Sequence, residues 1–137
     1  MTRELSGEDV AHTINQAFPG MALRFNQTDV WIDPGPLLQI ARFLKDTPDL
    51  DFAFLTAVTA VDYIEHFELI YHLLSMRRNH SVVIKTRCSG RKDPTVSSVV
   101  SVWRGADLQE REIWDLMGIR FEGHPNAKRI LLWEGFS

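Results

Sequence analysis

"HFELIYHLLSM", His66 to Met76, is the stretch on which the fold turns. In an extended chain successive side chains point to opposite faces. Phe67, Leu69, Tyr71 and Leu73 therefore share one face, and Glu68, Ile70, His72 and Leu74 share the other. Both faces are substantially apolar near the end of the run, which places this strand inside a sheet rather than at its rim. The segments on either side have the same character. "DFAFLTAVTAVDYI" (51–64) and "HSVVIKTRC" (80–88) are rich in β-branched and aromatic residues, so three strands follow one another through the centre of the chain.

Helices flank this centre. "SGEDVAHTINQAF" (6–18) reads as a first helix: Ser6 can cap it, with Asp9 as a box-like partner. Val10, Ile14 and Ala17 recur at helical spacing, and Pro19–Gly20 ends it. "ALRFN" and "DVWID" suggest two short strands joined near residues 26–28. "DPGPLLQIARFLKD" suggests a second helix, with Leu37, Ile40, Ala41 and Leu44 on its buried face. After the centre, "SGRKDP" (89–94) is a polar connector and "SSVVSVW" (97–103) fits a further strand. A last helix lies within "ADLQEREIWDLMG". The order is α-β-β-α-β-β-β-(β)-α. Strands come in adjacent runs, which predicts an α+β fold rather than alternating βαβ units. We expect two layers, a mixed β-sheet with helices mainly on one face, and one domain over residues 1–137.

Composition narrows the function. Hydrophobic residues make up 45% of the 137 and charged residues 24%, as in ordinary globular chains. A chain of this length buries roughly two-thirds of its unfolded surface and needs no metal or disulfide to fold. The net charge of −3 argues against a nucleic-acid binder that neutralises phosphates. The single cysteine, Cys88, excludes an internal disulfide and a cluster held by four thiolates of this chain; it reads as a small apolar residue near a strand end. No apolar run approaches the ~20 residues that span a bilayer, and the N-terminus lacks a signal-peptide core. A cytosolic chain is expected, able to reach a membrane complex through a partner.

"EREIWDLMGIRFEGHP" (110–125) concentrates the chemistry-bearing residues. Asp107, followed three positions later by Glu110, reads as a cap and its box partner. Gly118 suits the left-handed position past the helix end, and Ile119 falls where a Schellman cap sets an apolar residue against Trp114. Ile113, Leu116 and Met117 are spaced to bury one stripe. Arg111 and Asp115 can pair along the helix for a few tenths of a kcal/mol. Glu110, Glu112 and Asp115 could supply carboxylates to an acid–base site, and His124 an imidazole. Yet His12, His66, His72, His80 and His124 are scattered, and no HExxH, phosphate-cradling glycine loop or nucleophile elbow is present. Gly123-His124-Pro125 reads as a turn, and "KRILL", with Lys128 and Arg129 at its start, as a short strand or arm. Helix, turn and arm together present charged and aromatic groups to a neighbour, as interface anchors do.

These residues also match a family pattern. "EREIWDLMGIRFEGHPNAKRIL" resembles the signature of the 30 kDa subunit of the proton-translocating NADH–quinone oxidoreductase, respiratory complex I. That signature has Glu-Arg-Glu, an acid followed by two apolar residues, a His, and a basic residue before paired apolar ones. Glu110, Arg111, Glu112, Asp115, Leu116, Met117, His124, Lys128, Ile130 and Leu131 meet every fixed position. Upstream, "TAVTAVDYIEHFELIYHLLS" is similar to the family's central hairpin, including Asp62, Phe67, Glu68 and Tyr71, and "SSVVSVWRGAD" to the lead into the signature helix. Leu108 stands where Trp is usual and Ala127 where Leu is usual. The sequence stops at "LLWEGFS", where many relatives continue into a tail, which suggests a short-form member.

The resemblance implies a non-redox structural subunit of the peripheral arm. Such a subunit packs on the large quinone-site subunit of the quinone module, and on other peripheral-arm subunits, and so supports electron transfer from NADH to quinone. Flavin, iron–sulfur clusters and quinone lie in the partners, with no cofactor or catalytic residue in this chain. The location is peripheral, at the cytoplasmic face of the cell membrane, without direct insertion. The expected interface comprises Glu110, Arg111, Glu112, Asp115, Leu116, Met117, Gly118, Phe121, His124, Pro125, Lys128, Arg129 and Ile130. Two alternatives stand beside it. One is the homologous subunit of a membrane-bound nickel–iron hydrogenase or F420H2 dehydrogenase. The other is a stand-alone hydrolase using Glu112 and His124, which requires those side chains to converge on a pocket.

Overall fold

The computed structural model describes residues 3–88 and 93–125, with side chains from residue 5 onward. The elements run β1 (Arg3–Glu4), α1 (Gly7–Ala17), β2 (Ala22–Phe25), β3 (Asp29–Ile32), α2 (Leu37–Asp46), β4 (Phe54–Tyr63), β5 (His66–Ser75), β6 (His80–Cys88), β7 (Thr95–Ser97), α3 (Ala106–Met117) and β8 (Arg120–Glu122). The main sheet has the order β2-β3-β6-β5-β4. β3 lies parallel to β6, and β1 adds to the same strand, also parallel; the other pairs of this sheet are antiparallel. The fold is α+β on a mixed sheet, as expected, and β5 is interior, between β6 and β4.

Alternation dictates the layers. On β5, Phe67, Leu69, Tyr71 and Leu73 are buried, and β6 opposes them with Val82, Ile84, Thr86 and Cys88. α2 covers this face with Leu37, Ile40, Ala41 and Leu44, all buried. α1 contributes Val10, Ala11 and Ile14; Ala11 takes the place that spacing had offered to Ala17, which is exposed. Ser6 Oγ accepts the Glu8 N–H at 3.2 Å, so the cap forms. Asn15 ties the helix to β2 through both its amide atoms, with Oδ1 2.9 Å from the Ala22 nitrogen and Nδ2 3.3 Å from its carbonyl.

The opposite sheet face is wetter and held by polar pairs across strands. Trp31 Nε1 donates to Glu68 Oε2 at 3.0 Å, and Lys85 Nζ lies 2.9 Å from the Asp29 carboxylate. The Arg24 guanidinium sits 4.2 Å from the centre of the Trp31 ring. Burial alone would raise the Asp29 carboxyl, but the Lys85 ammonium and the Thr28 and Asn26 hydrogen bonds outweigh it and hold the group below its ordinary value.

The expected strand at 97–103 does not form. The strand in this region is Thr95–Ser97, paired in parallel with β8, and the chain then turns. The Val102 and Trp103 N–H groups both donate to the Val99 carbonyl, at 3.0 and 2.8 Å. Buried Val99, Val102 and Trp103 follow a spacing of three and four, which suits a tight turn rather than a two-residue repeat. Trp103 Nε1 then donates to the Phe52 carbonyl at 2.9 Å, and Lys45 Nζ to the Val102 carbonyl at 2.9 Å. These bonds pin the turn to the end of α2 and to the entry of β4.

α1 starts in a tight place. A Cβ on Gly7 would run into the Asn26 carbonyl oxygen and stand 2.9 Å from that of Asp29. Both are backbone atoms, one in the β2–β3 turn and one at the start of β3, which cannot swing away as a side chain can. Gly7→Ala should therefore lower stability by about 1–3 kcal/mol through overpacking. An unchanged denaturant midpoint for that variant would refute the close approach.

Candidate interaction surface around helix α3

α3 has two faces, and both carry an unexpected residue. At 100° per residue, Ala106, Glu110, Ile113 and Met117 share one side. Ala106, Glu110 and Ile113 are buried, and Met117 packs partly buried against the core. Leu108, Glu112 and Asp115 share the opposite side and are exposed. Leu116, expected in the buried stripe, is 83% exposed, and Leu108 is 65% exposed. The stripe is completed by a carboxylate, while two leucines face out. Arg111 is half-buried, and among the ion pairs of the described residues none joins it to Asp115.

Glu110 is fully buried. Its Oε1 accepts from Ser98 Oγ at 2.6 Å and its Oε2 from the Val99 N–H at 2.9 Å. Asp107 and Glu110 therefore do not form the expected capping box. The helix starts earlier, directly after Gly105, without a side-chain cap bond, and Glu110 binds the preceding turn instead. Burial pushes the Glu110 carboxyl up; the Ser98 and Val99 hydrogen bonds and the charge of His124 oppose this without cancelling it. The Tyr71 phenol lies within electrostatic reach. It is driven well above its ordinary value by burial, then by Glu110 and Cys88, and among the described residues its hydroxyl finds no hydrogen-bond partner.

The far end of α3 returns the chain beneath the helix start. Gly118 is left-handed, with φ 74°, and its N–H donates to the Trp114 carbonyl at 2.8 Å. That is the single-bond left-handed stop rather than the paired bonds of a Schellman cap. Ile119 and Phe121 are buried, the latter in β8 opposite Val96. Gly123, at φ 84°, turns the chain. His124 is buried, and its Nε2 lies 3.1 Å from an Asp107 carboxylate oxygen and 3.2 Å from the Asp107 carbonyl. Pro125 is exposed. Lys128, Arg129, Ile130 and the rest of the expected arm lie outside the described residues, as does most of the 89–94 connector.

The structure brings Glu110, Asp107 and His124 together and leaves Glu112 apart from them. Glu112 projects from the outward face while His124 is buried against Asp107. The convergence that a Glu112–His124 hydrolase needs is absent. Among the described residues, no three His, Cys, Asp or Glu side chains gather as a metal set. Sequence reasoning missed Gln109, whose Oε1 accepts the Val58 N–H at 2.6 Å and so covers part of the β4 edge. It also missed Ser98, for which a polar residue ahead of buried valines was the only signal.

The profile of the family described as respiratory-chain NADH dehydrogenase, 30 Kd subunit, matches residues 30–137. The chain is 44% identical over 108 residues to the second C-type subunit of the NADH-quinone oxidoreductase of Rhizobium meliloti, covering 77% of this chain and 58% of that one. It is 38% identical over 136 residues to the C-type subunit of the NADH-quinone oxidoreductase of Rhodopseudomonas palustris, covering 94% and 66%. The chain thus spans about three-fifths of the length of such relatives. A chain in the structure of the membrane-bound sulfane sulfur reductase, an archaeal respiratory membrane complex, shares the fold, with TM-score 0.71 at 24% identity over 88% of this chain and 72% of that one.

The Glu110 environment predicts two linked outcomes. Glu110→Ala removes both acceptors and strands two buried donors, at a cost of about 2–4 kcal/mol; Glu110→Gln, which keeps one acceptor, costs less. Because the folded carboxyl titrates above its ordinary 4.5, the folded state holds more protons than the unfolded one between the two values. The contribution of Glu110 is therefore greatest below that window and falls as pH rises through it. Denaturant midpoints measured across the window should show wild type losing stability relative to Glu110→Gln as pH rises. Parallel curves for the two proteins would show that burial does not govern the group.

Proposed function

Because the chain belongs to the family of the respiratory-chain NADH dehydrogenase 30 kDa subunit, we propose that it is a non-redox structural subunit of the peripheral arm of an NADH–quinone oxidoreductase. In this reading it packs on the large quinone-site subunit and other peripheral-arm subunits, and supports electron transfer from NADH to quinone without a catalytic residue of its own. Flavin, iron–sulfur clusters and quinone reside in those partners. The assembly sits at the cytoplasmic face of the membrane. Among the described residues no helix is long and apolar enough to cross a bilayer.

One observation carries the docking role: α3 is inverted. Its carboxylate Glu110 faces inward with one hydrogen bond to each oxygen, while Leu108 and Leu116 face outward among Glu112 and Asp115. Exposed leucines at helical spacing, rimmed by charge, suit the apolar centre and polar rim of a protein interface. Left in water, they gain the free chain none of the stabilisation that burial gives. The signature residues therefore divide. Glu110, Gly118, Phe121 and His124 build the platform, and Arg111, Glu112, Asp115 and Leu116 are presented on it.

Purification of the native complex tests this. Leu116→Asp should cut co-purification with the large quinone-site subunit about tenfold or more, as loss of an interface anchor does. Arg111→Ala should weaken assembly by a smaller factor. Both should leave the melting temperature of the isolated chain within about 2 °C of wild type, since surface changes stay near ±0.5 kcal/mol. Full retention of the Leu116→Asp chain in the complex would remove the outward face of α3 from the interface.

A further inference from the structure

Ile64 is 90% exposed, the highest value among the exposed large hydrophobic side chains described. It sits at the tip of the β4–β5 hairpin. Tyr63 and His66 form the last strand pair, so Ile64 and Glu65 are the two turn residues. Two-residue hairpin turns favour Asn-Gly or Asp-Gly because they want positive φ. Neither Ile64 nor Glu65 has a positive φ. Local backbone physics therefore does not ask for isoleucine here, and the core gains nothing from it.

The tip is also backed by a ring pair. The Tyr63 and His66 rings stack with centroids 5.2 Å apart and planes 28° from parallel, directly beneath the turn. Tyr63 is 47% exposed, so an aromatic shoulder stands beside the isoleucine. Pre-organised Tyr and aliphatic groups lose little entropy on binding, which is how interface anchors work. Charge then selects the partner. The hairpin itself, residues 54–75, carries no Lys or Arg, and the Arg87 that the neighbouring strand brings lies opposite Glu68, whereas Glu65 occupies the turn itself. An anionic lipid surface selects basic residues and opposes such a tip. A protein pocket with a basic rim accepts it.

The position agrees. Gln109 of α3 meets Val58, and Gly105 stands near Leu55, so α3 runs alongside β4 in the same direction. The last turn of α3, with Asp115 and Leu116, therefore heads toward the end of the molecule that carries Ile64. We propose that the β4–β5 tip is a docking knob: Ile64 seats in an apolar pocket of a neighbouring subunit, and Lys or Arg on the rim of that pocket pairs with Glu65. Taking that neighbour as a subunit of the same oxidoreductase rests on the reading above.

The test uses the full chain expressed with its native complex. Ile64→Val should be retained in the purified complex like wild type, and Ile64→Asp about tenfold less. Glu65→Lys should lower retention most at low salt, where repulsion from a basic rim is least screened. Melting of the full chain should be unchanged for all three, which separates docking from folding. A photo-crosslinking residue at position 64 should join to a subunit of the complex at a site flanked by Lys or Arg. Wild-type retention of Ile64→Asp overturns the knob, as does a crosslink to lipid, to a second copy of this chain, or to nothing. Loss with Ile64→Asp but not with Leu116→Asp sinks the α3 surface and leaves the knob standing; the reverse sinks the knob alone.

Discussion

The Glu110 carboxylate, closed off beneath α3, is the constraint that the C-terminal half of the structure depends on. A buried carboxylate is tolerable only when its oxygens are satisfied, because desolvation alone costs several kcal/mol. Here one oxygen takes the Ser98 hydroxyl and the other the Val99 amide. Those two bonds hold residues 98–99 against the middle of α3. The turn that follows then has one place to go, with Trp103 bonded to the Phe52 carbonyl and Lys45 to the Val102 carbonyl. One carboxylate thus links α3, the turn, the end of α2 and the entry to β4. His124, brought back to Asp107 after the Gly118 stop, closes the same assembly from the other side.

The sequence made the centre legible because burial on a sheet has a simple period. The β5 alternation and the stripe of α2 both appear as read, residue by residue. The short strands were not legible for the same reason in reverse. β1, β7 and β8 are two or three residues long, too short to show a period, and their partners decide them. Val99, Val102 and Trp103 misled because a run of valines has strand propensity, while their burial follows the geometry of a turn.

The faces of α3 misled for a different reason. Pattern reading assigns leucine inward and glutamate outward, since an unpaired buried charge is costly. That rule assumes that no donors wait inside. Ser98 and the Val99 amide supply them, from twelve and eleven residues upstream, and no helical periodicity within α3 can report it. The family pattern recovered what the periodicity could not: it singled out Glu110 and His124. It did not say that these two serve the interior while Glu112 and Asp115 serve the surface. Only the three-dimensional contacts separate the roles.

That separation bears on how stability and association are distributed. If the outward leucines had been core residues, any change to them would lower both folding and docking, and the two could not be told apart. Exposure of Leu116 at 83% and of Ile64 at 90% removes that coupling. Their substitution touches water in the free chain, so folding is nearly indifferent to it. In the docking proposed above, the same substitution would carry a charge into the apolar part of a partner's surface, where removing it from water is costly. A surface of this kind holds its shape before binding, because Glu110, His124 and the Tyr63–His66 stack fix it from behind. Docking through such a surface would cost little ordering, and its affinity would follow from the few apolar side chains at the centre rather than from the total area covered.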